Sequence, residues 1–204
     1  MARKPIMLEH IQHKGKMILS DKSIKEEIAK GSIVITPYHP DCVQPSSIDV
    51  HLGNRFLIFN RVQHAVINLK EKQDGLMKMV EVKENEPFIL HPGEFVLGST
   101  VESVKMPLDI AGRIEGKSSL GRLGLLIHST AGYIDAGWKG SLTLELSNVS
   151  PLPITLYPNM KIGQISFQRM TTQVENPYGS KKLGSKYQGQ EGPEESKFYQ
   201  NFHT

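Results

Sequence analysis

Apolar and polar residues alternate in short runs along most of the chain, the two-residue period of half-buried β-strands. The clearest run covers residues 140–149, GSLTLELSNV. There Leu142, Leu144 and Leu146 share one face, and Thr143, Glu145 and Ser147 share the other. A second run, KIGQISF at 161–167, sets Ile165 and Phe167 against Gln164 and Ser166. The pattern predicts apolar faces turned to a core and two polar faces that line a site. Residues 33–36, 56–59, 88–90 and 95–100 read as further short strands, punctuated by Gly, Pro and Asn. One helix is expected near the start: Ser20 caps it, Ile24 and Ile28 share a face, and Gly31 suits its stop. The expectation is an all-β domain, a jelly roll or barrel, with a short N-terminal helix.

The 204 residues suffice for one domain with a substantial core, and the 18 Gly and 12 Pro suit its many turns. With 24 Lys+Arg against 21 Asp+Glu the formal charge is only +3, and no basic stripe marks a nucleic-acid partner. A small anionic ligand needs only a few well-placed cations. The single cysteine, Cys42, permits no intrachain disulfide and suits a reducing compartment. No apolar run approaches the roughly 18 residues of a membrane span. Residues 1–16 lack the apolar core of a secretory signal, and the chain reads as cytoplasmic. These residues read as an extension, disordered or appended, before a natural start at Met17; the β pattern fills 17–170. Residues 171–204 lose periodicity and are rich in Gly, Ser and Lys with interspersed Tyr and Phe. Composition favours a disordered tail there; the alternative is an arm that orders over a ligand.

Two segments carry candidate chemistry. Residues 116–122, GKSSLGR, gather two cations, two hydroxyls and two glycines, which is a workable grip for a triphosphate. The segment is not a P-loop, and composition alone reads it equally as a turn. Glu145 is the carboxylate of the best-patterned strand, where it can move protons between water and a base. Pattern alone treats it as a solvated residue, Asp135 as a turn former and Tyr178 as tail. It treats His128 as structural and Trp138 as packing. One cysteine and no H-x-E sequence exclude the zinc-hydroxide arrangement of the common deaminases.

GKSSLGRLGL, STAGYIDAGWKG, LTLELSN and KIGQISF follow one another in an informative order. SSIDVHLG stands upstream and PYGSKKLGSKYQGQEGP downstream. Together they resemble the dCTP deaminase branch of the trimeric dUTPase superfamily, from about Met17 to the end. The resemblance implies a dUTPase-like distorted jelly roll, a homotrimer with active sites between subunits, and a flexible C-terminal lid over 171–204. It implies deamination of dCTP without zinc, Mg²⁺ carried by the triphosphate rather than by protein ligands, and dTTP as a feedback inhibitor.

By position, Lys117, Ser118, Ser119, Leu120, Gly121 and Arg122 inherit triphosphate contacts, and Ser118 and Arg122 also position the water at the base. Some relatives carry Arg where this chain has Lys117; the lysine keeps the cation but lacks the bidentate fork of an arginine. Glu145 inherits the general acid/base role, with Thr143 and Leu144 beside it. Asp135 inherits contact with deoxyribose and the hydrolytic water. Gln164 inherits a phosphate contact, Tyr178, Lys186 and Gln190 inherit lid contacts, and Asp49 falls near a magnesium shell reached through water.

The family has a form that releases dUTP and a bifunctional form that cleaves it onward to dUMP and diphosphate. SSLGR and TAGYID, with Gly121 and Gly132 beside Arg122 where bulkier residues stand in monofunctional relatives, resemble the bifunctional form. The glycines imply either room for a second water or a loop that brings Asp135 closer. The competing expectations are a deaminase alone, a plain dUTPase and a non-catalytic nucleotide sensor.

Overall fold

The computed structural model describes residues 17–202 apart from Gln63. The expected extension at 1–16 lies outside the described residues. Helix α1 (Asp21–Ala29) is capped by the Ser20 hydroxyl, which accepts the Ser23 N–H. Ile24 is fully buried, and Gly31 follows the helix in a left-handed conformation.

Thirteen strands are described: β1 (Val34–Thr36), β2 (Val43–Gln44), β3 (Ser47–His51), β4 (Arg55–Phe59), β5 (Met77–Glu81), β6 (Phe88–Leu90) and β7 (Phe95–Lys105), then β8 (Ile110–Gly116), β9 (Leu125–Leu126), β10 (Tyr133–Ile134), β11 (Lys139–Asn148), β12 (Ile154–Leu156) and β13 (Lys161–Arg169). Between β8 and β9 lies a single helical turn, α2 (Ser118–Gly121).

Two antiparallel sheets pack around one core. The first runs β5-β4-β7-β11-β9, with β1 also on β7; the second runs β10-β8-β13-β3-β2. Strands β6 and β12 form a small ribbon. Leu144 and Leu146 of β11 and Ile165 and Phe167 of β13 are all fully buried in the same core. Each such side chain contributes about 1.5–3 kcal/mol by leaving water. The alternation read from the sequence therefore holds on both strands.

The alternation also fixes where the polar side chains go. Leu144 and Leu146 flank Glu145, so Glu145 points away from the core on the first sheet. Ile165 points inward beside Gln164, so Gln164 points away from the core on the second. The two polar faces expected to line one site thus lie on different sheets of one chain.

Composition reads the segment after Met170 as disordered, but it is folded back on the first sheet. Gln190 is buried; its side chain donates to Ser141 O at 2.8 Å and to Thr143 Oγ1 at 3.0 Å. The tail backbone continues the match: Ser141 N–H donates to Gln190 O and Gly189 N–H to Lys139 O. At Gly140, φ is +141°, and a Cβ there would stand 2.8 Å from Gln190 O. Only glycine lets the tail lie this close to β11.

Candidate active site

Glu145 sits at the floor of a cavity of about 900 Å³ that also presents Asp135, Thr143, Tyr178 and Gln190. Its position follows from β11, which is paired on both sides, with Leu97 of β7 directly across from Glu145. The carboxylate is held from the loop after β9: Ser129 N–H donates to Oε2 at 2.8 Å, and Thr130 N–H approaches the same oxygen at 3.4 Å. A half-buried carboxylate on a rigid strand, anchored through one oxygen, can present the other to a water or a base nitrogen.

Asp135 follows β10 and is exposed at the cavity wall. Trp138 is buried, donates its indole N–H to Gly140 O at 3.2 Å, and packs its ring 5.2 Å from that of Tyr178. It is a packing residue that also lines the cavity. Burial pushes the Tyr178 phenol above its ordinary range, and the hydroxyl accepts the Tyr187 N–H. Leu144 is fully buried and does not line the cavity; it sets the direction of its neighbours Thr143 and Glu145, which do. Lys186 bonds into the tail through its carbonyl, which accepts from Lys197 Nζ at 3.1 Å.

The remaining site residues form a second group elsewhere. Ser118, Ser119, Gly121 and Arg122 are exposed on α2 and just beyond it, while Leu120 packs against the core. Lys117 precedes α2 and donates to Asp49 Oδ1 at 2.6 Å. Gln164 accepts from Ser47 Oγ at 2.9 Å and reaches Gly116 O at 3.4 Å, which places it beside this turn. None of Lys117, Ser118, Arg122 and Gln164 lines the Glu145 cavity. One chain presents the acid/base half of the expected site and the phosphate half at separate places.

The Asp49 side chain is buried, and its second oxygen pairs with Lys161 at 3.1 Å, so two lysines hold it and it in turn aims Lys117. Among the described residues, no group of three His, Cys, Asp or Glu side chains could hold a metal ion.

The two glycines differ. A Cβ at Gly121 would meet nothing within 4 Å. At Gly132 it would stand 3.1 Å from Ile114 O and 3.3 Å from the His128 ring. The lack of a Cβ at Gly132 lets the loop before Asp135 lie against β8. His128 packs under that loop, with Nε2 3.5 Å from Glu115 and a buried Nδ1 that has no hydrogen-bond partner.

Sequence reasoning missed the loop amides of Ser129 and Thr130, and also Lys161, whose only signal was its place at the start of KIGQISF. It also missed residues 67–76, which roof the cavity and have no strand or helix period.

The profile of the dCTP deaminase-like family matches residues 18–170. The chain belongs to that family. A protein of Corynebacterium kroppenstedtii named dCTP deaminase, dUMP-forming, is 59% identical over 186 residues, which cover 91% of this chain and all (100%) of that one. Proteins of the same name from Mycolicibacterium vanbaalenii and Mycobacterium avium are 58% and 57% identical, cover 91% and 92% of this chain, and are themselves covered over 98% and 99% of their lengths. Among solved structures, the 2'-deoxycytidine 5'-triphosphate deaminase of Agrobacterium tumefaciens superposes with a TM-score of 0.58 at 25% identity, over 75% of this chain and 48% of that one.

Proposed function

We propose that the chain deaminates dCTP at cytosine C4 and hydrolyses the resulting dUTP to dUMP and diphosphate, in sites completed between copies of a homotrimer. The carrying observation is Glu145, fixed by the Ser129 N–H at the floor of a cavity that also presents Asp135. The high identity to relatives named as dUMP-forming supports the product.

In the first step Glu145 takes a proton from water as its oxygen bonds to C4, and delivers it to N3. A second proton passes through Glu145 to the amino group, which leaves as ammonia when the C4–N bond breaks. Ser118 and Arg122, supplied by a neighbouring copy, hold that water and the triphosphate, with Lys117 aimed by Asp49. In the second step Asp135 orients a water toward the α-phosphate, and diphosphate departs. Magnesium arrives as part of the nucleotide, where it screens the triphosphate charge. The docked tail keeps bulk water from the site, and dTTP competes for it. The reaction belongs to a cytoplasmic nucleotide pool.

Incubation of the purified protein with labelled dCTP and Mg²⁺ tests the reading. The expected product is dUMP with one diphosphate and one ammonia, and little dUTP at any time. Persistent stoichiometric dUTP defeats the second activity and leaves the first; binding without turnover defeats both.

A further inference from the structure

Asp49 lies on β3 between Ile48 and Val50, which both belong to the core, so its side chain points to the outer face of the second sheet. It is nevertheless only 4% exposed. Two ammonium groups close on it from different elements. Lys117, just before α2, reaches Oδ1 at 2.6 Å, and Lys161, the first residue of β13, reaches Oδ2 at 3.1 Å. Gln44 Nε2 approaches Oδ2 at 3.4 Å. Gln164, directly across from Asp49 on β13, completes the group.

The neighbouring buried carboxylate, Glu102, is engaged separately. It accepts the His51 backbone N–H at 2.9 Å, and its other oxygen lies 2.6 Å from the His51 ring Nδ1. The charge count around Asp49 is therefore simple: one carboxylate between two lysines leaves a single positive charge. Take Lys161 away, and Asp49 cancels the charge of Lys117 while still holding it. A lysine neutralised in this way is a poor partner for a polyanion.

We propose that Lys161 is a positioning residue for the triphosphate: it neutralises Asp49, so that Asp49 aims Lys117 without cancelling its charge. The proposal rests on the reading of Lys117 as a triphosphate contact, and it assigns the charge balance of that contact to a residue behind the carboxylate. Its effect is electrostatic, so it grows with the charge of the ligand and fades with salt.

Equilibrium binding tests it with α,β-imido-dUTP, which has neither an amine at C4 nor a cleavable α–β bridge, and with dUMP for comparison. Lys161→Met is expected to weaken the triphosphate analogue by about 5- to 20-fold at low salt, and dUMP by about twofold or less. High salt should narrow the difference from wild type. Lys161→Arg keeps the charge and should bind like wild type. The decisive variant is Asp49→Asn with Lys161→Met, which keeps an oxygen for Lys117 and restores the single positive charge; it is expected to recover most of the lost affinity. A purely structural role for Lys161 makes that double variant no better than Lys161→Met, and this result overturns the proposal. So does a Lys161→Met protein that binds the analogue like wild type. A wild-type protein that binds the analogue no better than dUMP removes the triphosphate reading itself. Absence of dUMP among the products of dCTP removes only the two-step reading, because the binding comparison involves no turnover.

Discussion

Oε2 of Glu145 accepts the Ser129 N–H at 2.8 Å, so the loop after β9 fixes the carboxylate that the sequence marks for proton transfer. Glu145→Gln keeps an oxygen for that N–H and loses the ability to carry a proton. Ammonia release is expected to fall by about 10²–10⁴-fold while dCTP affinity stays within roughly tenfold. A variant with near-wild-type turnover takes Glu145 out of this role.

Separation of Arg122 from the Glu145 cavity gives a prediction about mixtures. The Arg122→Ala and Glu145→Gln proteins are each expected to be inactive. After the two are unfolded and refolded together, about a quarter of the interfaces pair an intact Glu145 with an intact Arg122, and activity returns in proportion. Mixtures as inactive as their components place both residues in one chain's site.

Gly132→His puts a Cβ 3.1 Å from Ile114 O, so the loop must shift, and Asp135 three residues on shifts with it. Diphosphate release is expected to slow more than ammonia release, and Asp135→Asn should widen the gap further. Separate assays of the two products decide; equal slowing counts against a special role for Asp135 in the second step.

Removal of everything after Met170 is expected to leave the two sheets folded and to abolish efficient turnover. A milder version is Gln190→Ala, which strips the buried Ser141 carbonyl of its side-chain donor and weakens tail docking by about 1–3 kcal/mol. Proteolysis of the tail should quicken with little change in Tm. A large drop in Tm in either variant shows the tail to be part of the core.

Acid stability has a specific source. Burial alone raises the Glu27 carboxyl, but bonds from Ser32 and Lys30 and the charge of Arg169 outweigh it and bring it below its ordinary 4.5. A depressed folded value means that its stabilisation is full above about 4.5 and is lost as pH falls through the folded value. Arg169 also holds Asp109 at 2.6 Å, so Arg169→Gln should lower Tm at pH 7 and flatten its fall toward acid. Identical Tm–pH slopes for the two proteins refute this.

The strands with a clean period were legible in the sequence: β11 and β13 stand where Leu144, Leu146, Ile165 and Phe167 place them. Strand β8 was not, because IAGRIEG alternates poorly and is fixed by pairing with β13. Side-chain period also gave the outward direction of Glu145 and Gln164. It could not say that their strands belong to different sheets, since that depends on long-range pairing. The docking of the tail was hidden for a related reason. Gln190 and Gly192 are buried by hydrogen bonds to Ser141 and Thr143, not by apolar repeats that a pattern would reveal.

Gly140 turns the packing of the tail on β11 into a vulnerability one methyl group wide. Alanine at this position would meet Gln190 O at 2.8 Å and would also strain a backbone held at φ +141°. The strand keeps its partners on β7, so the cheapest relief is for the tail to lift away. A cell with that allele would hold a normal quantity of protein, detected in full by an antibody to the β domain. The defect would appear only in the balance of its pyrimidine deoxynucleotides.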